Sequence, residues 1–367
     1  MRRRGLAAVV AAVVFISATS IRAGAAVEMV TVGNPCNASD TRHESPGYGG
    51  VSYVYSIGKF EVTAGQYTEF LNAVAATMDT HGLYDASMAD LIAHPGGRGC
   101  GIQRSGSEGS YTYSVAPDWA DRPVNYVSWG DAARFVNWLH NGQPTGVQEA
   151  STTEDGSYHL NGAMTNAELL AVVREFDATW VIPSEDEWYK AAHHYDECGP
   201  AGHYEGYYDF PTSFNSTPGC IDDSGNLTRT GSPFTEGGID PSNTATYDCD
   251  AEPLGTWGIG PPYFRTEVGE HENSPSPYGT FDQGGNVWEW NEAVLIDAFR
   301  GLRGGAYYQD TAGAAWTRYF DNPSFESSGI GFRVANVSEP VPEDLDHDGD
   351  VDLYDYALFQ AAVNGPR

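Results

Sequence analysis

The sequence predicts a loop-rich fold of short helices and short strands, pinned by aromatic packing. Three observations predict it. Gly and Pro are frequent, 43 and 21 of 367 residues, so the chain is punctuated too often for long elements. Tyr and Trp are also abundant, at 22 and 9, and supply large rigid side chains for a core of modest regular structure. Three segments carry helix-start signatures, and the stretches between them are rich in Gly, Pro, Asn and Asp.

Taken in order, Thr63-Ala64-Gly65-Gln66 is a capping box, and Tyr67, Phe70, Leu71 and Val74 follow at helical spacing. Ser128-Trp129-Gly130-Asp131 opens a second helix with Phe135, Val136, Trp138 and Leu139 on its apolar face. Ser184-Glu185-Asp186-Glu187 opens a third, with Trp188, Ala191 and Ala192 turned inward. Short strands are expected at Val51–Ile57, Trp180–Ile182 and Gly331–Ala335. Residues 196–280 hold no convincing helix, which suits a fold tied down by ions and disulfides. The main domain is expected over 28–336, a Pro- and Glu-bearing linker over 337–343 and a tail over 344–367.

The first residues predict export. Arg2, Arg3 and Arg4 precede an apolar run from Leu6 to Ile16, and Ala23-Gly24-Ala25 supplies small residues for cleavage, so 1–25 reads as a signal peptide. The expected location is secreted, periplasmic or cell-surface, with no membrane span after cleavage, because no later segment is long and apolar enough. A net charge of −31 repels phosphate backbones and anionic lipid, so nucleic acid and anionic membranes are poor partners and no nucleic-acid partner is expected. In an oxidising compartment most of Cys36, Cys100, Cys198, Cys220 and Cys249 should pair, with one thiol left over and the pairing open. One bridge is expected within the loop-rich group Cys198, Cys220 and Cys249.

The tail carries a calcium-loop pattern. Asp344, Asp346 and Asp348 occupy loop positions 1, 3 and 5, Gly349 makes the turn, and Asp350 offers its carbonyl at position 7. Asp352 serves position 9, and Asp355 closes the loop at 12, where an ordinary EF-hand has Glu. That aspartate, and the lack of an entering helix, make the segment resemble one repeat of a dockerin, a docking module that uses two. The resemblance implies calcium and a cohesin-like or cell-surface attachment partner.

The body carries six ordered motifs. They are Ile57-Gly58-Lys59-Phe60-Glu61-Val62-Thr63, Arg122-Pro123-Val124-Asn125-Tyr126, Trp180-Val181-Ile182-Pro183-Ser184, Gly284-Gly285-Asn286-Val287-Trp288-Glu289-Trp290, Arg303-Gly304-Gly305-Ala306 and Gly331-Phe332-Arg333-Val334-Ala335. In this order they resemble the sulfatase-modifying-factor family, whose founding member is formylglycine-generating enzyme. The resemblance implies a single α+β domain, related to C-type lectins and poor in regular structure. It also implies a structural calcium on the Asp282 and Glu289 side chains with the Gly285 and Val287 carbonyls. The family's oxidase converts a sulfatase cysteine to formylglycine with copper and O₂, holding copper on two thiolates just after the stretch matching Gly304-Gly305-Ala306. Here Gln309 and Ala314 stand where those thiolates belong. Neither replaces a soft ligand for Cu(I), so copper is not expected.

No catalytic residue is therefore assigned. The leading expectation is a non-catalytic module binding a peptide or carbohydrate, with Tyr307, Tyr308, Trp316 and Tyr319 in the former groove. The alternatives are formylglycine formation or other chemistry by a rewired groove, and an attachment role centred on the tail. Arg303 and Arg333 are expected to be buried structural arginines, Asn286, Trp288 and Trp290 to be core, and His193 and His194 to lie at the surface.

Overall fold

The computed structural model describes residues 26–91, 98–199, 202–219, 240, 242–248, 258–309 and 313–337. The expected signal peptide and the calcium-loop tail, with Asp344, Asp346, Asp348, Asp350, Asp352 and Asp355, lie outside the described residues.

β1 (Met29–Val32) and β2 (Tyr55–Gly58) lead into α1 (Ala64–Val74). A hairpin of β3 (Gln103–Ser105) and β4 (Thr112–Ser114) precedes the single turn α2 (Pro117–Ala120), then α3 (Trp129–His140) and α4 (Asn166–Ala171). β5 (Trp180–Val181) feeds α5 (Glu185–His193), which runs straight into the hairpin β6 (His194–Gly199) and β7 (Gly202–Tyr207). The last third holds β8 (Trp288–Leu295), β9 (Phe299–Arg303), β10 (Tyr319–Asp321), β11 (Ile330–Gly331) and β12 (Ala335–Val337).

The three expected helices start on their capping boxes. Thr63 Oγ1 accepts from Gln66 N at 3.2 Å, and Gln66 Oε1 accepts from Thr63 N at 2.9 Å. The same reciprocal bonds join Ser128 to Asp131 and Ser184 to Glu187. Each satisfies two backbone donors that a helix start leaves orphaned. The apolar stripes then meet as planned: Phe70 packs edge-on against Phe135 at 5.3 Å, and Phe135 against Phe332 at 5.4 Å. One core thus joins α1, α3 and the last strands.

Two four-stranded sheets frame this core, in the orders β1-β2-β12-β5 and β10-β9-β8-β11. In the first, Ala335 pairs with Ile57 on one side and Val181 on the other, so the end of the domain closes onto its beginning. Val337, expected to open the linker, is instead the last residue of β12 and donates to Thr179 O at 2.9 Å. The strand expected over Gly331–Ala335 is split into β11 and β12, which belong to different sheets. Gly331 permits the crossing, since a Cβ there would lie 2.6 Å from Val124 O. The sequence reading missed β8 and β9. The first four residues of β8, Trp288 to Asn291, are all buried, so no inside-outside alternation marks the strand.

Among the described residues, 196–280 contains no helix, as expected, but carries the β6–β7 hairpin. Cys36 and Cys100 are free thiols, against the expectation that most cysteines pair. Cys100 is fully buried in the main core and acts there as a small apolar side chain. The bridge expected among Cys198, Cys220 and Cys249 falls on side chains outside those described.

Candidate functional site

The Gly-Gly-Asn turn before β8 is held in a demanding backbone shape. Asp282 and Asn286 both have φ near 59°, and Gly285 has φ 88°. A Cβ on Gly285 would lie 2.2 Å from Thr246 O, so only glycine fits against that strand-like segment. The turn is tied to the groove stretch by Gly285 N to Gly304 O at 2.8 Å and Tyr307 N to Asn286 O at 3.0 Å.

Four ionisable side chains converge behind this turn. Arg333 donates to both oxygens of Glu289, at 2.7 and 2.5 Å, and Trp188 Nε1 donates to Glu289 Oε2 at 2.6 Å. Arg333 and Glu289 are wholly buried. Asp282 accepts from Gly269 N at 2.6 Å, and burial pushes its carboxyl up to about 7. Glu61, also buried, accepts from Asn286 Nδ2 at 3.1 Å. Burial, with Asp282 and Glu289 nearby, drives its carboxyl well above the usual range. Glu61 Oε2 and Asn286 Oδ1 are buried without a hydrogen-bond partner.

This geometry bears on the implied calcium ligands. Asp282, Gly285 and Val287 stand together on the turn, but the Glu289 carboxylate is already occupied by Arg333 and Trp188. Among the described residues no three Asp, Glu, His or Cys side chains form a metal-holding cluster. A cation here would need amide and carbonyl oxygens as well as carboxylates.

The groove stretch follows β9. Gly304 and Gly305 have φ 98° and 81°, and Gly313 folds back against Gly304 so closely that a Cβ would meet Gly304 O at 2.3 Å. Ala314 is buried in an apolar cluster with Phe210, Ala245 and Tyr247. Gln309 is anchored through its backbone, donating to Ala306 O at 3.0 Å and accepting from Asp248 N at 2.8 Å. The four aromatics expected to share the groove separate. Tyr307 is core, with its hydroxyl on Ser328 Oγ at 3.1 Å, and Tyr308 meets it edge-on at 5.0 Å. Tyr319 lies over Trp288 at 5.5 Å. Trp316 is 52% exposed and packs on Phe210 and His43.

At Arg318 the surface opens into a cleft of about 460 Å³, lined also by Glu44, Tyr48, Glu185, Asp186 and Glu292. Arg303, buried as expected, holds two of these lining residues. It donates to Glu185 Oε1 at 2.8 Å and to the carbonyls of Ala315 and Thr317 at 3.0 Å, and it lies over the Tyr48 ring. Arg318 shares the same Glu185 carboxylate. Carboxylates outnumber cations in this lining. Sequence reasoning missed the cleft because Glu185 and Asp186 read as helix-start residues and Glu44 lies far away in the chain.

Two expectations about single residues are settled here. Asn286, Trp288 and Trp290 are buried, as expected. His193 and His194 are not at the surface but 1% exposed. α5 ends against the β6–β7 hairpin, where His193 packs on Tyr189 at 4.7 Å and His194 stacks on Tyr278 at 6.0 Å.

The family model described as the sulfatase-modifying factor enzyme 1-like domain matches residues 20–338. A mouse protein, "Inactive C-alpha-formylglycine-generating enzyme 2", is 33% identical over 97 residues, 22% of this chain. The match spans about a third (32%) of that relative's length. Among solved structures, CarF is similar with a TM-score of 0.45 and 16% identity, covering 85% of this chain and 98% of that one. PvdO from Pseudomonas aeruginosa is similar with a TM-score of 0.38 and 19% identity, covering 84% and 91%.

Proposed function

Because the chain belongs to the family of sulfatase-modifying factor enzyme 1-like domains, we propose that it keeps the family scaffold as a ligand-binding module without the oxidase chemistry. The observation that carries this reading is the pair Gln309 and Ala314. Gln309 has no thiol to offer, and Ala314 is sealed into an apolar cluster. The two free thiols among the described residues, Cys36 and Cys100, belong to other parts of the fold. A mouse relative named as inactive is in keeping with it.

The ligand site is the cleft lined by Tyr48, Glu44, Asp186 and Arg318. The Tyr48 ring beside the Glu44 and Asp186 carboxylates suits a peptide with basic side chains, or a carbohydrate whose hydroxyls donate to carboxylates. Export through residues 1–25, calcium in the 344–367 loop and calcium at the Asp282 turn complete the reading, with calcium acting as a structural clamp. Attachment to a cohesin-like or cell-surface partner belongs to the tail.

Two experiments test it. Incubation with Cu(I), O₂ and a cysteine-containing sulfatase peptide should leave the peptide mass unchanged; aldehyde formation would overturn the non-catalytic reading. A peptide and glycan array should show binding that Glu44→Gln and Asp186→Asn abolish. Binding that survives both changes would remove the cleft from the proposal.

A further inference from the structure

We propose that the ligand of the cleft is an arginine side chain, and that Arg318 is the chain's own occupant of its seat, displaced when the ligand enters. This deepens the cleft reading above and rests on it.

A guanidinium is already recognised here. Arg318 Nε donates to Glu185 Oε1 at 2.7 Å and Nη2 donates to Glu185 Oε2, a two-pronged pairing that matches the planar fork of arginine. Its guanidinium carbon lies 5.1 Å from the centre of the Tyr48 ring, within cation–π reach. Glu44 Oε2 stands 4.0 Å from Arg318 Nη1, and the Tyr48 hydroxyl bonds to that same oxygen. Fork, ring and second carboxylate together make a seat for an arginine.

Glu185 does not depend on this partner alone. Arg303 donates to Glu185 Oε1 through Nε at 2.8 Å and approaches it through Nη2 at 2.7 Å. The two side chains are 1% and 8% exposed, so Arg303 supplies the counter-charge that a buried carboxylate requires. Arg318 is 26% exposed and lines the open cleft. Its departure needs no backbone movement, because Arg303 Nη1 holds Ala315 O and Thr317 O, each at 3.0 Å, just before it. The released side chain keeps Glu44, 54% exposed, within reach. The exchange also selects the ligand. An ammonium is a point charge and cannot remake the fork, and a sugar hydroxyl brings no charge to replace the one that leaves. A guanidinium restores both bonds and the charge at once.

Calorimetric titration of the full chain with N-acetyl-arginine amide tests this, with N-acetyl-lysine amide as the control. A seat filled by its own side chain about nine-tenths of the time binds about tenfold more weakly than an empty one. Arg318→Ala should therefore bind the arginine probe at least about tenfold more tightly than the wild-type chain, and the lysine probe little better than before. A purely structural Arg318 would give no such gain. If Arg318→Ala does not fold, Arg318→Lys, which keeps a charge near Glu185 without the fork, carries the same test. Arginine binding that is unchanged or weaker in the folded variant overturns the proposal, as do equal gains for both probes. The cleft reading is judged separately on the array. Array binding that Glu44→Gln and Asp186→Asn abolish, without the arginine gain, overturns the arginine assignment alone, and no array binding at the cleft overturns both.

Discussion

Two buried charge clusters in this protein are built in opposite ways. In the first, Arg174 bridges Glu187 and Glu292, and every carboxylate oxygen has a protein partner. Glu187 Oε1 accepts from Tyr53 and Arg174 at 2.5 and 2.9 Å, and Oε2 from Ser184 N and Arg174 at 2.6 and 2.9 Å. Glu292 Oε1 accepts from Tyr158 and Arg174, and its Oε2 faces Arg174 at 2.9 Å. In the second, around Arg333, Glu289 is saturated but Glu61 and Asn286 each keep an orphaned oxygen. The first cluster is closed by protein alone. The second leaves two buried oxygens without a protein partner. The contrast shows that two arginine-centred clusters of similar burial differ in how fully the fold satisfies their oxygens.

The sharpest way to break the comparison is to remove each arginine. Arg333→Met and Arg174→Met should each cost about 3–5 kcal/mol in chelator, because buried carboxylates lose their partner. Arg174 belongs at the lower end, being 21% exposed. Calcium should restore part of the stability lost in Arg333→Met and none of that lost in Arg174→Met. Urea denaturation with and without calcium measures both, and equal calcium responses would erase the distinction.

Gly285→Ala should cost about 1–3 kcal/mol from the positive φ alone, with overlap on Thr246 O adding to it. Ser184→Ala removes the cap of α5 beside the closed cluster and should cost about 1 kcal/mol, independent of calcium.

The smallest effect is on pH. Burial holds His193 down at about 3 and His271 at about 4, against an ordinary value of 6.5. Both are neutral in the folded chain and become charged on unfolding in mild acid. Their contribution is full above about 6.5 and is lost as pH falls toward those lower values. Between about pH 7 and about pH 5 the two histidines lower stability. The raised carboxyls of Asp282 and Glu61, protonated first in the folded chain, raise it. His271→Gln should therefore shift the slope of the urea midpoint toward greater stability in acid. A slope unchanged in that variant would show that other groups set it.

Much of the scaffold was legible in the chain. Thr63, Ser128 and Ser184 announced their helices because a capping box is local chemistry, complete within four residues. The six ordered motifs announced the family for the same reason. The histidines were misread because helix position says nothing about the hairpin that later covers His193 and His194. β8 was hidden because burial on both faces removes the alternation that identifies a strand.

The sequence by itself determined the helix starts and the family, since each depends on which residues stand close together in the chain. Only the tertiary structure decided which carboxylates have partners. Glu61, Asn286, Glu289 and Arg333 lie up to hundreds of residues apart and are ordinary in their own segments. Whether a buried oxygen is satisfied depends on what the fold brings against it, and no local pattern records that.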